Sequence, residues 1–172
     1  MAIQHPAASK LKERFPALAF KGNEFKGDVQ IIVPTSALAE VVAYLRSEPT
    51  LAYDHLVDVT CVDYLQHVSK MPGRFGVVYV LASTSGVAPR LILRVFVDEA
   101  NLEVASLVPQ YAGAEWLERE VYDMFGIQFT GHPDLRRILT WEGFKAHALR
   151  KDYPVTGQGE REQYPVIDRT SA

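Results

Sequence analysis

Between Glu118 and Leu139 the chain gathers Glu118, Arg119, Glu120, Asp123, His132, Arg136 and Arg137. Carboxylates, an imidazole and guanidiniums can move protons, hold a metal or pair with a partner's charges. Spacing decides between these uses. Glu118 and Glu120 are two apart, so on a helix they point about 200° from one another and make a poor acid–base pair. Glu120 and Asp123 share a side, but two such acids are more often solvated or salt-bridged than catalytic. The histidines at 5, 55, 67, 132 and 147 show no zinc-like pair spacing. A single cysteine, Cys61, makes no internal disulfide and falls short of the four thiolates an iron–sulfur cluster usually takes. It lies on an apolar strand face, where a buried structural thiol is expected. No G-x-G-x-x-G, G-x-x-x-x-G-K or G-x-S-x-G loop occurs. The expectation is no catalytic, cofactor-binding or metal-binding residue in this chain.

The element that must position these groups is a helix. Trp116, Leu117, Val121, Met124 and Phe125 recur at helical spacing, and Gly126 can close the helix in the left-handed conformation. Its acids sit badly for the helix dipole, at roughly 0.3–1 kcal/mol each in the last turn. Glu115 and Arg119 are four apart and can pair; Glu120 and Asp123 have no cation on the helix. Cations follow at His132, Arg136 and Arg137, either to cap the acidic end or to pair with acids on another subunit. A local rule broken without a nearby remedy marks a functional or strained site. The bland alternative is a solvated acidic face.

The remaining chain reads as a scaffold for that helix. Its 172 residues suit one domain and an appendage. Residues 1–9 read as disordered, and Leu11 and Phe15 as a short helix stopped by Pro16. Gly22 and Gly27 bracket a turn, and Val29, Ile31 and Val33 alternate as a strand. Thr35 or Ser36 caps a helix whose buried face is Leu38, Val41, Val42 and Leu45. Three strands follow in close succession, carrying Val57–Asp63, Phe75–Leu81 and Leu91–Val97, as an antiparallel meander. Asp58 and Asp63 read as residues that hydrogen-bond at the sheet edge or to adjacent loops, or that contact a partner, with the first use favoured for Asp63. Asp98 to Pro109 is a mixed stretch. The order α-β-α-β-β-β-α predicts a two-layer α+β domain with a largely antiparallel sheet over residues 1–129. After Phe129 prolines and glycines break any long element, so residues 130–172 read as an extended arm that a partner orders, with Tyr153 and Tyr164 as anchors.

A net charge of −3 argues against a general nucleic-acid binder. No apolar run approaches the ~20 residues of a membrane span, and Met1–Pro6 lacks the regions of a signal peptide. The expected location is cytoplasmic, or peripheral on that side of the cell membrane.

One pattern is more specific: Glu118-Arg119-Glu120, two residues, Asp123, two apolar residues, six residues, His132, three residues, Arg136, one residue, Ile138-Leu139. It resembles, at every position, the signature of the C subunit of the proton-pumping NADH–quinone oxidoreductase, respiratory complex I. The likeness continues through Arg150-Lys151-Asp152-Tyr153-Pro154-Val155 and, more weakly, at Leu56 to Tyr64. The resemblance implies a cofactor-free subunit of the hydrophilic arm. It would pack against the quinone-site subunit and the iron–sulfur subunits, with flavin and clusters held by those partners and the membrane reached only through the complex. It implies the unfused form of the subunit and a role in assembly and rigidity. Glu118, Arg119, Glu120, Asp123, His132, Arg136, Arg137, Tyr153 and Tyr164 are then expected at partner interfaces. Two alternatives stand beside it. One is the equivalent subunit of a membrane-bound hydrogenase or of a ferredoxin- or coenzyme-F420-dependent relative. The other is a free-standing enzyme using the acids near Glu120.

Overall fold

A computed structural model describes residues 5–159 of the chain. Its first helix, α1 (Pro6–Arg14), begins earlier than Leu11 and Phe15 suggest. Pro6 suits the first helical turn, and the His5 imidazole accepts the Ala7 amide as a cap. The expected disorder is corrected for residues 5–9 on these grounds; residues 1–4 of that expectation lie outside the described residues.

The Gly22–Gly27 segment is more than a turn. It forms a hairpin of β1 (Lys21–Phe25) and β2 (Asp28–Ile32). Lys26 and Gly27 both take positive φ to close it. All of β1 is exposed, so it carries no inward apolar face for alternation to reveal. Thr35 and Ser36 enter a short 3-10 turn, Thr35–Ala37, and the helix α2 spans Leu38–Ser47. Neither hydroxyl caps it; Thr35 donates instead to the Phe96 carbonyl.

β3 (His55–Asp63), β4 (Phe75–Ala82) and β5 (Leu91–Val97) form the expected antiparallel meander. β2 joins the far side of β5 in parallel, giving the order β1-β2-β5-β4-β3. α2 is thus the crossover from β2 to the opposite edge. A bulge at Val57 shifts the β3 register, leaving Val57 exposed and turning Leu56 inward. The mixed stretch holds β6 (Glu103–Ala105), which pairs in parallel with β7 (Gln128–Thr130). Between them lies α3 (Ala114–Phe125), packed against β3.

One sheet face carries Val29, Ile31, Leu91, Leu93, Val95, Phe75, Val77, Tyr79, Leu81, Val59 and Cys61, all buried in a single core with α1, α2 and α3. The helices therefore cover one face only, which is the two-layer α+β architecture read from the sequence. Fully burying one such aliphatic side chain contributes roughly 1.5–3 kcal/mol. α2 brings Leu38, Val41, Val42 and Leu45 to that core. In α3 the stripe is less regular than its spacing suggests. Val121, Met124 and Phe125 are buried, Trp116 is 59% exposed, and three charged residues go inward instead.

Candidate functional site

The three inward charges of α3 are Glu118, Arg119 and Asp123. Each is placed by the helix and satisfied by chain that is not helical. Glu118 lies one turn into α3, with its carboxylate pointing back to the loop after β6. It accepts the Ser106 hydroxyl and the Leu107 amide, both at 2.7 Å. Burial raises its pKa against the pull of those two hydrogen bonds.

Arg119 does not pair with Glu115. Its Nε and Nη2 donate to the carbonyls of Arg136 and Arg137, each at 3.1 Å, and its guanidinium lies 5.1 Å from the Trp116 ring centre. A planar fork suits two adjacent carbonyls in a way that a lysine ammonium would not. Trp116 stays outside because it covers the guanidinium and does not enter the core.

Asp123 is the centre of the site and is fully buried. One oxygen accepts three successive backbone amides, Ile138 at 3.0 Å, Leu139 at 2.7 Å and Thr140 at 2.8 Å. The other accepts the Thr140 hydroxyl and Arg137 Nη1, the latter at 2.6 Å. Burial opposes ionisation, but the Thr140 hydroxyl and the three amides outweigh it and bring the pKa down to about 2. Arg137 continues the network to the Thr140 hydroxyl and the Ala146 carbonyl, both at 3.0 Å, and covers the Phe144 ring.

The C-terminal carbonyls of α3 are met in the same way. His147 Nδ1 donates to Asp123 O at 2.9 Å, the Leu149 amide to Met124 O, and Arg150 Nε to Phe125 O at 2.7 Å. Residues 147–150 therefore act as the cap that a helix end requires. Gly126 makes this approach possible. Its φ of 79° ends the helix, and a Cβ there would lie 2.5 Å from His147 Nε2 and 2.7 Å from Arg150 Nη2.

A third buried acid, Asp63 at the end of β3, fastens the next few residues. It accepts Arg74 through both oxygens, the Leu65 amide, and the Lys151 amide at 2.9 Å. Arg74 also pairs with Asp152 at 2.9 Å and with Glu99. Burial disfavours the Asp63 carboxylate, yet Arg74 and the two amides hold its pKa below the usual value. The hydrogen-bonding reading of Asp63 agrees with this geometry.

The expected boundary at 129 thus falls inside β7, and residues 131–159 form no further helix or strand. Through Tyr153 the expected arm is folded back onto its own domain. Backbone amides and carbonyls hooked by Asp63, Arg119, Asp123 and Arg150 hold it, where the composition offered too few apolar side chains to do so. Among the residues expected at partner interfaces, Glu118, Arg119 and Asp123 are buried inside the chain. His132 is half-buried, with Nε2 donating to Glu115 O at 3.0 Å and Nδ1 accepting the Asp134 amide. Arg137 turns inward to Asp123, as the expected cap of the acidic helix end would. Glu120 is exposed, as is Arg136, which pairs with Asp134. Tyr153 is half-buried with its ring 5.7 Å from Phe144, and Tyr164 lies outside the described residues.

Sequence reasoning missed Thr140, His147, Arg74 and the carbonyl-binding role of Arg150. The Asp63–Arg74 pair was readable in principle, since the two flank the β3–β4 hairpin; nothing in the sequence marks Thr140. The surface of this segment carries Leu139 and Leu149, both more than half exposed, with Trp141 and the fully exposed Val155. Among the described residues no group of three or more His, Cys, Asp or Glu could hold a metal, and no helix is long and apolar enough to cross a membrane.

Known proteins are similar to this chain in sequence and fold. The model of the family described as respiratory-chain NADH dehydrogenase, 30 Kd subunit, matches residues 31–159. A Geobacter metallireducens protein, named as the C subunit of NADH-quinone oxidoreductase, is 43% identical over 164 residues, covering 95% of this chain and 97% of its own. A Brucella ovis protein of the same name is 44% identical over 147 residues, covering 86% and 70%. Among solved structures, a trypsin-resistant fragment (1-134) of Nqo5 superposes with a TM-score of 0.67 at 31% identity, covering 75% of this chain and 99% of the fragment. A chain of an archaeal membrane-bound sulfane sulfur reductase, described as a respiratory membrane complex, shares the fold at TM-score 0.67 and 19% identity. With the family model matching residues 31–159, and with a relative 43% identical over 97% of its own length, the chain belongs to the 30 Kd subunit family of respiratory-chain NADH dehydrogenases.

Proposed function

We propose that this chain is a cofactor-free subunit in the peripheral arm of a proton-pumping NADH–quinone oxidoreductase, where it supports assembly of the quinone-reducing module. Its partners are the quinone-site subunit and the iron–sulfur subunits, which with their neighbours hold the flavin and clusters. It sits on the cytoplasmic side of the cell membrane, attached through the complex. The observation that carries this reading is the use made of the family's acids and cations. Asp123, Glu118, Arg119 and Arg137 are engaged with backbone amides, carbonyls and hydroxyls of the same chain. They shape an irregular surface whose outward residues are Leu139, Trp141, Leu149 and Val155. A surface with that much exposed apolar area suits burial against a partner.

The equivalent subunit of a hydrogenase or of a ferredoxin-linked relative is the second reading, because the fold is shared with another membrane complex. Native purification through a tag on this chain distinguishes them. The proposal expects NADH-oxidising flavin and iron–sulfur subunits in the preparation, and no flavin or iron on the chain once it is stripped from them. A nickel–iron subunit in place of the NADH-oxidising one favours the second reading. Stoichiometric iron on the separated chain overturns the cofactor-free assignment.

A further inference from the structure

Among the described residues, no helix lies on the second face of the sheet. Its registers place Thr60, Val78, Arg94 and Ile32 in one row across β3, β4, β5 and β2. Asp58, Val80, Ile92 and Gln30 form the row on one side, and Val62, Gly76 and Phe96 the row on the other. Val78 is buried yet lies outside the core, and Val62 is 37% exposed. The middle of the face is therefore mostly apolar, with Arg94 as the cation near its centre and Asp58, Thr60 and Gln30 toward its sides.

That cation is held in a built cradle. Arg94 Nη1 donates to the Tyr64 hydroxyl at 2.7 Å, and its guanidinium lies 5.9 Å from the Tyr64 ring centre. Tyr64 in turn packs on Phe96, with ring centres 5.7 Å apart. The cradle needs Gly76: a Cβ there would lie 2.9 Å from Tyr64 Cε2 and 3.5 Å from Arg94 Cδ. Arg94 Nε is buried and has no acceptor. Among the described residues no carboxylate pairs with this guanidinium. A half-buried guanidinium that Tyr64 fixes in place and no carboxylate of the described chain neutralises suits an incoming carboxylate on its accessible side, with apolar side chains around it.

We propose that the open sheet face is a second docking surface, taking a segment of a partner subunit that sets an Asp or Glu on Arg94 and apolar side chains on the flanking rows. The proposal rests on the reading that the chain works inside a complex. It gives the subunit two binding sides, since α3 and residues 131–159 lie with the helical layer. A second copy fits poorly, because a two-fold contact centred here brings Arg94 against Arg94. An anionic membrane surface fits poorly too, for it is bound by clusters of basic residues, whereas here Arg90 is paired with Asp28 and Lys21 stands apart on the edge strand.

The test is carried out in the native complex, with a photo-reactive amino acid placed at Val62 on the sheet face and, separately, at Leu139 on the opposite side. Expected is capture of a defined subunit by the Val62 probe, mapped within a few residues of an Asp or Glu. Arg94→Glu should cut that yield about tenfold, and reversal of the mapped acid to Arg should restore it. Arg94→Lys, with an unchanged melting temperature, controls for folding. Capture of residues 160–172, of a second copy or of lipid at Val62 overturns the proposal, as does no capture there while Leu139 captures a subunit. No capture at either site overturns the complex-bound reading along with it.

Discussion

Replacing Asp123 with Asn should release the C-terminal segment while leaving the sheet intact. The carboxylate accepts three backbone amides on one oxygen, and Arg137 with the Thr140 hydroxyl on the other. Asn has one acceptor. If its oxygen faces the amides, its NH2 group meets the Arg137 guanidinium and the Thr140 hydroxyl; if flipped, it meets three amide donors. Either way one set of buried donors loses its acceptor, at about 1–3 kcal/mol for a neutral group and more for a charged one. Arg137, 14% exposed, is then left without its counter-ion. About 3 kcal/mol of local stability is a fair magnitude, or roughly a hundredfold in the opening equilibrium of residues 137–150. Native-state hydrogen exchange reads this directly. The Ile138, Leu139 and Thr140 amides should exchange roughly a hundredfold faster, while β4 and β5 amides keep their protection. Unchanged protection at 138–140 would show that Asp123 does not hold the segment, and a uniform loss across the sheet would show that the segment and the sheet open together.

Three further outcomes are expected. Glu118 has a raised folded pKa, so the folded state holds its proton at pH values where the unfolded chain has lost it. Its contribution to stability therefore falls as pH rises from about 4.5, the reference value, through the folded pKa. Asp123 acts in the opposite sense, its contribution fading as pH drops below its unfolded value toward about 2. The difference in urea stability between wild type and Glu118→Gln should thus vary with pH in the mildly acidic range, and a pH-independent difference contradicts the assignment. Gly126→Ala should destabilise by about 1–3 kcal/mol through the left-handed φ alone, and should also accelerate exchange at Leu149 because His147 and Arg150 are displaced; exchange like wild type at Leu149 counts against the capping role. Cys61, buried and with its thiol pushed up to about 12 by burial and then by Asp63, should resist iodoacetamide at pH 8 in the folded chain and react after denaturation.

Most of the layer architecture was legible because it rests on periodicity. α2 and the three meander strands announce themselves through buried residues at helical or alternating spacing, and the structure returns them within a residue or two. The missing elements have no such pattern. β1 is exposed throughout, and β6 and β7 are three residues each, too short for alternation to register. The site was legible as a composition and not as a geometry. The excess of acids on α3 was visible, as was the supply of cations after it. That Asp123 would meet Arg137 and three consecutive amides was not, since a backbone amide leaves no trace in a sequence. For the same reason residues 131–159 read as an arm. Their attachment depends on polar hooks supplied by Asp63, Arg119, Asp123 and Arg150, and apolar burial alone does not reveal those.

If this chain gives the complex structure and not chemistry, its exposed ionisable groups are dispensable for turnover. The direct measurement is NADH–quinone reductase turnover per assembled complex, in cells whose only copy of the chain carries Glu120→Gln, His132→Asn and Arg136→Gln together. These are the ionisable residues of the family signature that are not fully buried and do not bind Asp123. Turnover per complex should equal wild type, whatever happens to the amount assembled. Complexes present at the wild-type level, but turning over at a tenth of the rate or less, would contradict a purely structural role.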